Sequence, residues 1–156
     1  MELGSQVNAP ARLSGLHHLG VPVRSMEASV AWYRDVLGVE TTFVEQAEEG
    51  DALDASTQLK GARLRYAFAE LGNTSLEFLE YDNPRGRDHE TRNCDVGAVH
   101  ICFEVSDMQA TYESLREAGV DFNAPPTLIE GGPLAGCRFC YFRDPDGIQL
   151  EIFETG

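Results

Sequence analysis

Along residues 16–23 apolar and polar positions alternate: Leu19, Val21 and Val23 share one side, and His18, Gly20 and Pro22 the other. That is the period of a strand with one buried face. Residues 98–105 repeat the pattern, with Val99, Ile101, Phe103 and Val105 opposing His100, Cys102 and Glu104. Helical spacing follows each strand. Met26, Val30, Tyr33 and Leu37 run from a Ser25 N-cap to Gly38, and Met108, Tyr112 and Leu115 run from Ser106 or Asp107 to Gly119. Strand-like runs then cover residues 40–45, 63–71 and 75–81 in the first half and 121–123, 137–143 and 148–153 in the second. Gly72-Asn73 and Asp144-Pro145-Asp146-Gly147 supply tight turns. Each half therefore reads βαβββ, an α+β pattern. Longer loops at residues 46–61 and 127–136 are either closing flaps or ordinary surface.

These boundaries predict a tail at residues 1–12, loose or reaching toward a partner subunit, and one domain over 13–156. Module one spans about residues 13–82, a polar linker carrying Arg85, Arg87 and Arg92 spans 83–96, and module two spans about 97–154.

Chemistry is duplicated along with pattern. His18 falls on His100, and Leu76-Glu77-Phe78-Leu79-Glu80 falls on Leu150-Glu151-Ile152-Phe153-Glu154, so Glu77 falls on Glu151. All four residues oppose the apolar face that the helices must cover, which points them to the open side of a curved sheet. Halves related by an approximate two-fold axis would bring two imidazoles and two carboxylates together, a donor set suited to a divalent ion. A single strand histidine carries no such meaning; the repetition in register does. By the same alternation His17 faces away from His18, for packing under a helix or at a subunit contact, and His89 reads as a solvated linker residue. Glu80 and Glu154 are solvent-facing or helix-facing charges. Phe68, Phe78, Phe139 and Tyr141 line a cavity or pack the sheet, and the pattern does not separate the two.

Composition narrows the setting. A chain of 156 residues, 42% hydrophobic, fills one core. No apolar run reaches the roughly 18 residues of a membrane span, and residues 1–15 lack a signal peptide's basic start and apolar stretch, so a cytoplasmic location is expected. The formal charge of −14 disfavours nucleic acid and anionic membranes as partners. Cys94, Cys102, Cys137 and Cys140 lack the density of a secreted disulfide scaffold and read as reduced thiols. Cys137 and Cys140 form C-x-x-C on a strand, where residues three apart point to opposite faces.

With His18-Leu19-Gly20-Val21, the helix Trp32-Tyr33-Arg34-Asp35-Val36-Leu37-Gly38, His100-Ile101-Cys102-Phe103-Glu104-Val105 and Asp144-Pro145-Asp146-Gly147 leading into Leu150-Glu151, the chain resembles the vicinal oxygen chelate superfamily. That group includes glyoxalase I, methylmalonyl-CoA epimerase, extradiol dioxygenases and fosfomycin- and bleomycin-resistance proteins. The resemblance covers about residues 13–154. It implies paired modules forming a cup-like mixed sheet with helices outside, and one octahedral divalent ion (Mn, Co, Ni, Mg, Fe or Zn) on His18, Glu77, His100 and Glu151.

A glutamate at position 77 is similar to the four-ligand isomerases rather than to three-ligand dioxygenases. The implied function is a lyase or isomerase of glyoxalase I or epimerase type, acting on a small oxygenated carbonyl compound as a homodimer. It would move a proton next to the carbonyl through a metal-stabilised enolate, with Glu151 as the shuttling base and Glu77 as its symmetric alternative. The alternatives are an Fe(II) extradiol-type dioxygenase and a non-catalytic bleomycin-resistance-like binding protein. Pro22 and Tyr81 stand where bacterial glyoxalase I holds glutathione with arginine and asparagine, which puts that substrate in doubt. A coenzyme A ester would find its counter-charges only at Arg85, Arg87 and Arg92.

Overall fold

The structure, a computed structural model, describes residues 13–87 and 91–156, without the side chains of residues 43–46. The tail expected at residues 1–12 and His89 lie outside the described residues. Among the described residues eight strands and three helices follow one another as β1 (His18–Pro22), α1 (Met26–Leu37), β2 (Thr41–Glu49), α2 (Asp51–Thr57), β3 (Arg63–Glu70), β4 (Ser75–Asn83), β5 (Ile101–Glu104), α3 (Met108–Glu117), β6 (Thr127–Leu128), β7 (Arg138–Arg143) and β8 (Gln149–Glu154). The α+β class is as expected, with one difference of arrangement. The strands form two four-stranded mixed sheets, β1-β4-β3-β2 and β5-β8-β7-β6, rather than one continuous sheet. In each, the first strand runs parallel to the last.

Helix ends obey the local chemistry. The Ser25 hydroxyl accepts from the Ala28 amide, and Asp107, not Ser106, caps α3 by accepting from Ala110 at 2.9 Å. Gly38 ends α1 at φ 69°, a conformation that a side chain would oppose. Glu80 and Glu154 make a second, paired contribution: their carboxylates accept from the first helical amides, Met26 at 2.9 Å and Met108 at 2.8 Å. Each is also paired with the arginine opposite it on the neighbouring strand, Arg65 or Arg138.

Two segments depart from the pattern. Residues 46–61 form the end of β2 and the short α2, because Asp54 accepts from both the Gly61 and Ala62 amides at 2.6 Å and closes the segment on itself. Residues 121–123 make only one bridge, Phe122 to Phe142; the edge strand of the second sheet is instead Thr127–Leu128, inside the segment read as a loop.

Beneath both sheets lies one apolar cluster. Val21, Val30, Tyr33, Leu76 and Phe78 come from module one, and Met108, Phe142, Leu150 and Ile152 from module two. Each fully buried ring or branched side chain contributes about 2–3 kcal/mol of transfer free energy. The Asp144-Pro145-Asp146-Gly147 turn ties the halves together. Its Asp144 takes a hydrogen bond from Tyr33, and its Asp146 takes them from Ser29 and Arg24.

Candidate functional site

His18 opens β1, Glu77 lies in β4 and Glu151 in β8, and His100 immediately precedes β5. In β1 His18, Gly20 and Pro22 are exposed, while Val21 is buried. Gly20 is the register partner of Glu77, and Cys102, two residues after His100, is the register partner of Glu151. The same diagonal relation thus occurs in both modules. It sets His18 Nε2 3.2 Å from Glu77 Oε2, and His100 Nε2 2.9 Å from Glu151 Oε2.

Two donors bound at right angles to one ion, each by a bond of about 2.1 Å, stand about 3.0 Å apart. Both His–Glu spacings match adjacent positions on one ion. Without an ion the same spacing is a charge-assisted hydrogen bond from imidazole to carboxylate. The structure brings His18 to Glu77 and His100 to Glu151, but it does not gather the four. Among the described residues no three His, Cys, Asp or Glu side chains are grouped to hold one ion.

The two pairs differ in their walls. Phe68 lies opposite Glu77, its ring 6.0 Å from that of His18; Tyr141 lies opposite Glu151, its ring 5.4 Å from that of His100. Phe139 stacks edge-on against Tyr141 on that face, whereas Phe78 is fully buried against Tyr33. The four aromatic residues are thereby sorted: three flank the pairs and one fills the core. Glu151 is buried, and the Tyr141 hydroxyl and Cys102 thiol are beside it. Burial, reinforced by the Glu151 charge, pushes the Cys102 thiol up to about 12 and raises the Tyr141 phenol. Glu77 has no protic counterpart on either flanking strand, with Gly20 and Phe68 there instead.

His17 overturns part of the sequence reading, its packing under a helix and its facing away from His18. It is exposed rather than packed under a helix, and its Nδ1 lies 2.8 Å from His18 Nδ1 with the rings edge to face. This neighbour occupies the ring nitrogen of His18 that faces away from Glu77. The adjacency of two histidines was visible in the sequence; strict alternation hid the contact because the ring of His17 turns at the strand's start, before β1 begins. Cys94, Cys102, Cys137 and Cys140 are free thiols.

Residues 15–152 match the Glyoxalase/Bleomycin resistance protein/Dioxygenase superfamily. The chain belongs to this superfamily. Among its relatives in the glyoxalase superfamily, a 2-epi-5-epi-valiolone epimerase of Actinomyces sp. is 35% identical over 88% of this chain and 77% of its own. The mitochondrial methylmalonyl-CoA epimerase of Mus musculus is 29% identical over 90% of this chain and 73% of its own. The fold is shared with a glyoxalase family protein from Bacillus cereus, at a TM-score of 0.71, 19% identity and coverage of 94% of this chain and 97% of that one. None of the helices of this glyoxalase-like domain, among the described residues, is long and apolar enough to cross a membrane.

Proposed function

We propose that the protein is a divalent-metal-dependent epimerase, moving a proton at a carbon next to a carbonyl. The observation that carries this reading is the twin His–Glu pair, repeated in identical register at 3.2 and 2.9 Å. Similarity to two epimerases over most of the chain supports the same reaction class. That Glu77 is held to His18 as Glu151 is to His100 favours four ligands over the three of a ring-cleaving dioxygenase.

His18, Glu77, His100 and Glu151 would hold the ion, which would supply Lewis acidity at the substrate carbonyl. The rest is work for the side chains. Inversion at carbon needs one group to take the proton from one face and another to return a proton to the opposite face. Glu151 takes it: the C–H bond breaks, an O–H bond forms on the carboxylate, and the Tyr141 hydroxyl orients that carboxylate. Glu77, related to it by the pseudo-two-fold repeat, serves the other face. Microscopic reversibility exchanges the roles in the back reaction.

Each pair alone offers an ion two protein ligands. A homodimer in which module one of one subunit faces module two of its partner unites them, and the exposed Leu16 and Val99, neighbours of His18 and His100, suit such a contact.

The deciding experiment is metal content by mass spectrometry of tag-free protein beside His100→Ala, followed by α-proton exchange in D2O on 2-epi-5-epi-valiolone and methylmalonyl-CoA. Near one ion per subunit, lost in the variant, with deuterium entering either substrate, is expected. A wild type that refuses added Mn, Co, Ni and Zn, or exchanges neither substrate, overturns the reading.

A further inference from the structure

A cavity of about 580 Å³ opens beyond the His–Glu pairs. Leu79 and Tyr81 of β4, Arg24 after β1, Arg85 and Arg87 of the linker, and Gln149 at the start of β8 all contribute to its wall. It continues the reactive face. A Cβ built at Gly20 would meet both Leu79 Cδ1, at 3.4 Å, and Glu77 Oε2, at 3.9 Å, so Leu79 and Glu77 share a side, and by alternation Tyr81 shares it too. Four residues of strand separate Glu77 from Tyr81, about 13 Å.

Its charge is opposite to that of the chain. Acids outnumber bases 26 to 12, and most described arginines are paired: Arg34, Arg63, Arg65, Arg92 and Arg138 each have a carboxylate. The acids among the cavity's described lining residues are already engaged, Glu80 with Arg65 at 2.5 Å and Asp146 with Arg24 at 3.0 Å. Arg85 and Arg87 both line this space, and among the described residues neither has a hydrogen bond or an ion pair.

We propose that the cavity binds a phosphoryl group of the substrate through Arg85 and Arg87, the carbonyl end lying at Glu77. The assignment rests on the epimerase reading only for which end reacts. Two guanidinium forks match the geometry and charge of a phosphate dianion better than those of a single carboxylate. The volume accommodates a small ligand, and Leu79 and Tyr81 offer apolar surface to the chain joining its two ends. The substrate class is therefore a carbonyl compound with a phosphorylated tail that reaches on the order of 10 Å or more from the reacting carbon.

Inorganic phosphate titrated into the full chain by calorimetry tests the site apart from catalysis. Binding to wild type and to His100→Ala alike, weakening with salt, and a loss of about tenfold or more in Arg85→Ala/Arg87→Ala with an unchanged melting temperature are expected. No binding to wild type, equal binding to the double variant, loss in His100→Ala, or equal binding of malonate overturns it. With methylmalonyl-CoA the double variant should raise KM about tenfold with kcat nearly unchanged; an unchanged KM overturns the placement of the tail. Failure of the reaction reading looks different: phosphate still binds through the arginines while no substrate exchanges.

Discussion

The Tyr33 hydroxyl donates to Asp144 Oδ2 at 3.1 Å, joining α1 of module one to the turn before β8 of module two, and both side chains are buried. Asp144 also accepts from the Asp146 and Ile148 amides. Burial raises its carboxyl above the ordinary aspartate range, while these donors and Tyr33 pull it back. Burial, with the negative charge beside it, also raises the Tyr33 phenol. This bond connects the two halves at a point that neither sheet reaches.

Tyr33→Phe keeps the ring packed on Phe78, 4.7 Å away, and removes only the donor. With Asp144 charged, the loss should be about 1.5–3 kcal/mol; with it protonated, about 1 kcal/mol or less. The sign follows from the raised carboxyl. The folded state holds that proton more tightly than the unfolded chain does, so Asp144's own contribution is complete in acid and is lost as pH rises through its folded value. The variant's deficit should therefore grow from acid to neutral pH. Melting curves of both proteins across that range check it, and a deficit independent of pH would separate Tyr33 from the titration of Asp144.

Glu80 and Glu154 should behave as a matched pair. Each is bonded to the first amide of its module's helix and paired with a cross-strand arginine, so alanine at either should cost about 1–2 kcal/mol by chemical denaturation, and glutamine, which still accepts a hydrogen bond, less. Equal stability of glutamate and alanine at both positions would show that the helix contact is incidental.

The sequence made the repeat legible because it is written in alternation and helical period, which specify faces. Those faces placed His18, Glu77, His100 and Glu151 on one side, and their pairing follows from register alone. Which way the ring of His17 turns was not legible, since a residue just outside a strand escapes the alternation rule. Asp54, folding residues 46–61 through two backbone amides, leaves no periodic trace either. Whether two sheets join or stay apart depends on edge contacts that periodicity does not encode. Arg85 and Arg87 were visible as charges, but only the structure shows that they share a cavity wall with Glu80 and Asp146, which are already engaged.

His17 should tune the site without touching an ion. Second-sphere partners that fix a ligating ring contribute about 10–100-fold to affinity, and His17 Nδ1 contacts His18 Nδ1. Competition with a chelating dye should show His17→Ala weakening metal binding by that factor and His17→Asn, which keeps a polar partner, by less. Identical affinity in all three would make the His17 contact adventitious.

Glu151 and Glu77 should be separable by their surroundings. Glu151→Gln should lower α-proton exchange by about 10²–10⁴-fold while retaining the metal, because an amide can fill a ligand position but cannot take a proton. Tyr141→Phe should lose less, about tenfold, and mainly in kcat, since it removes an orienting hydroxyl beside the base. Exchange unchanged in Glu151→Gln would transfer the base to Glu77.

On the proposed reading each His–Glu pair supplies two ligands, and a site shared between subunits makes a prediction that a site within one chain does not. His18→Ala homodimers lack one ligand at both sites, and so do His100→Ala homodimers. Subunits exchanged between the two variants give a heterodimer in which one site has lost both histidines and the other has lost neither. Mixing two inactive preparations should therefore restore up to about one quarter of wild-type activity, because half of randomly paired dimers are mixed and each has one intact site. Metal content should rise with activity on mixing. In a site formed within one chain every subunit stays damaged and mixing restores nothing, so activity after subunit exchange reports directly on whether the two pairs meet across the dimer.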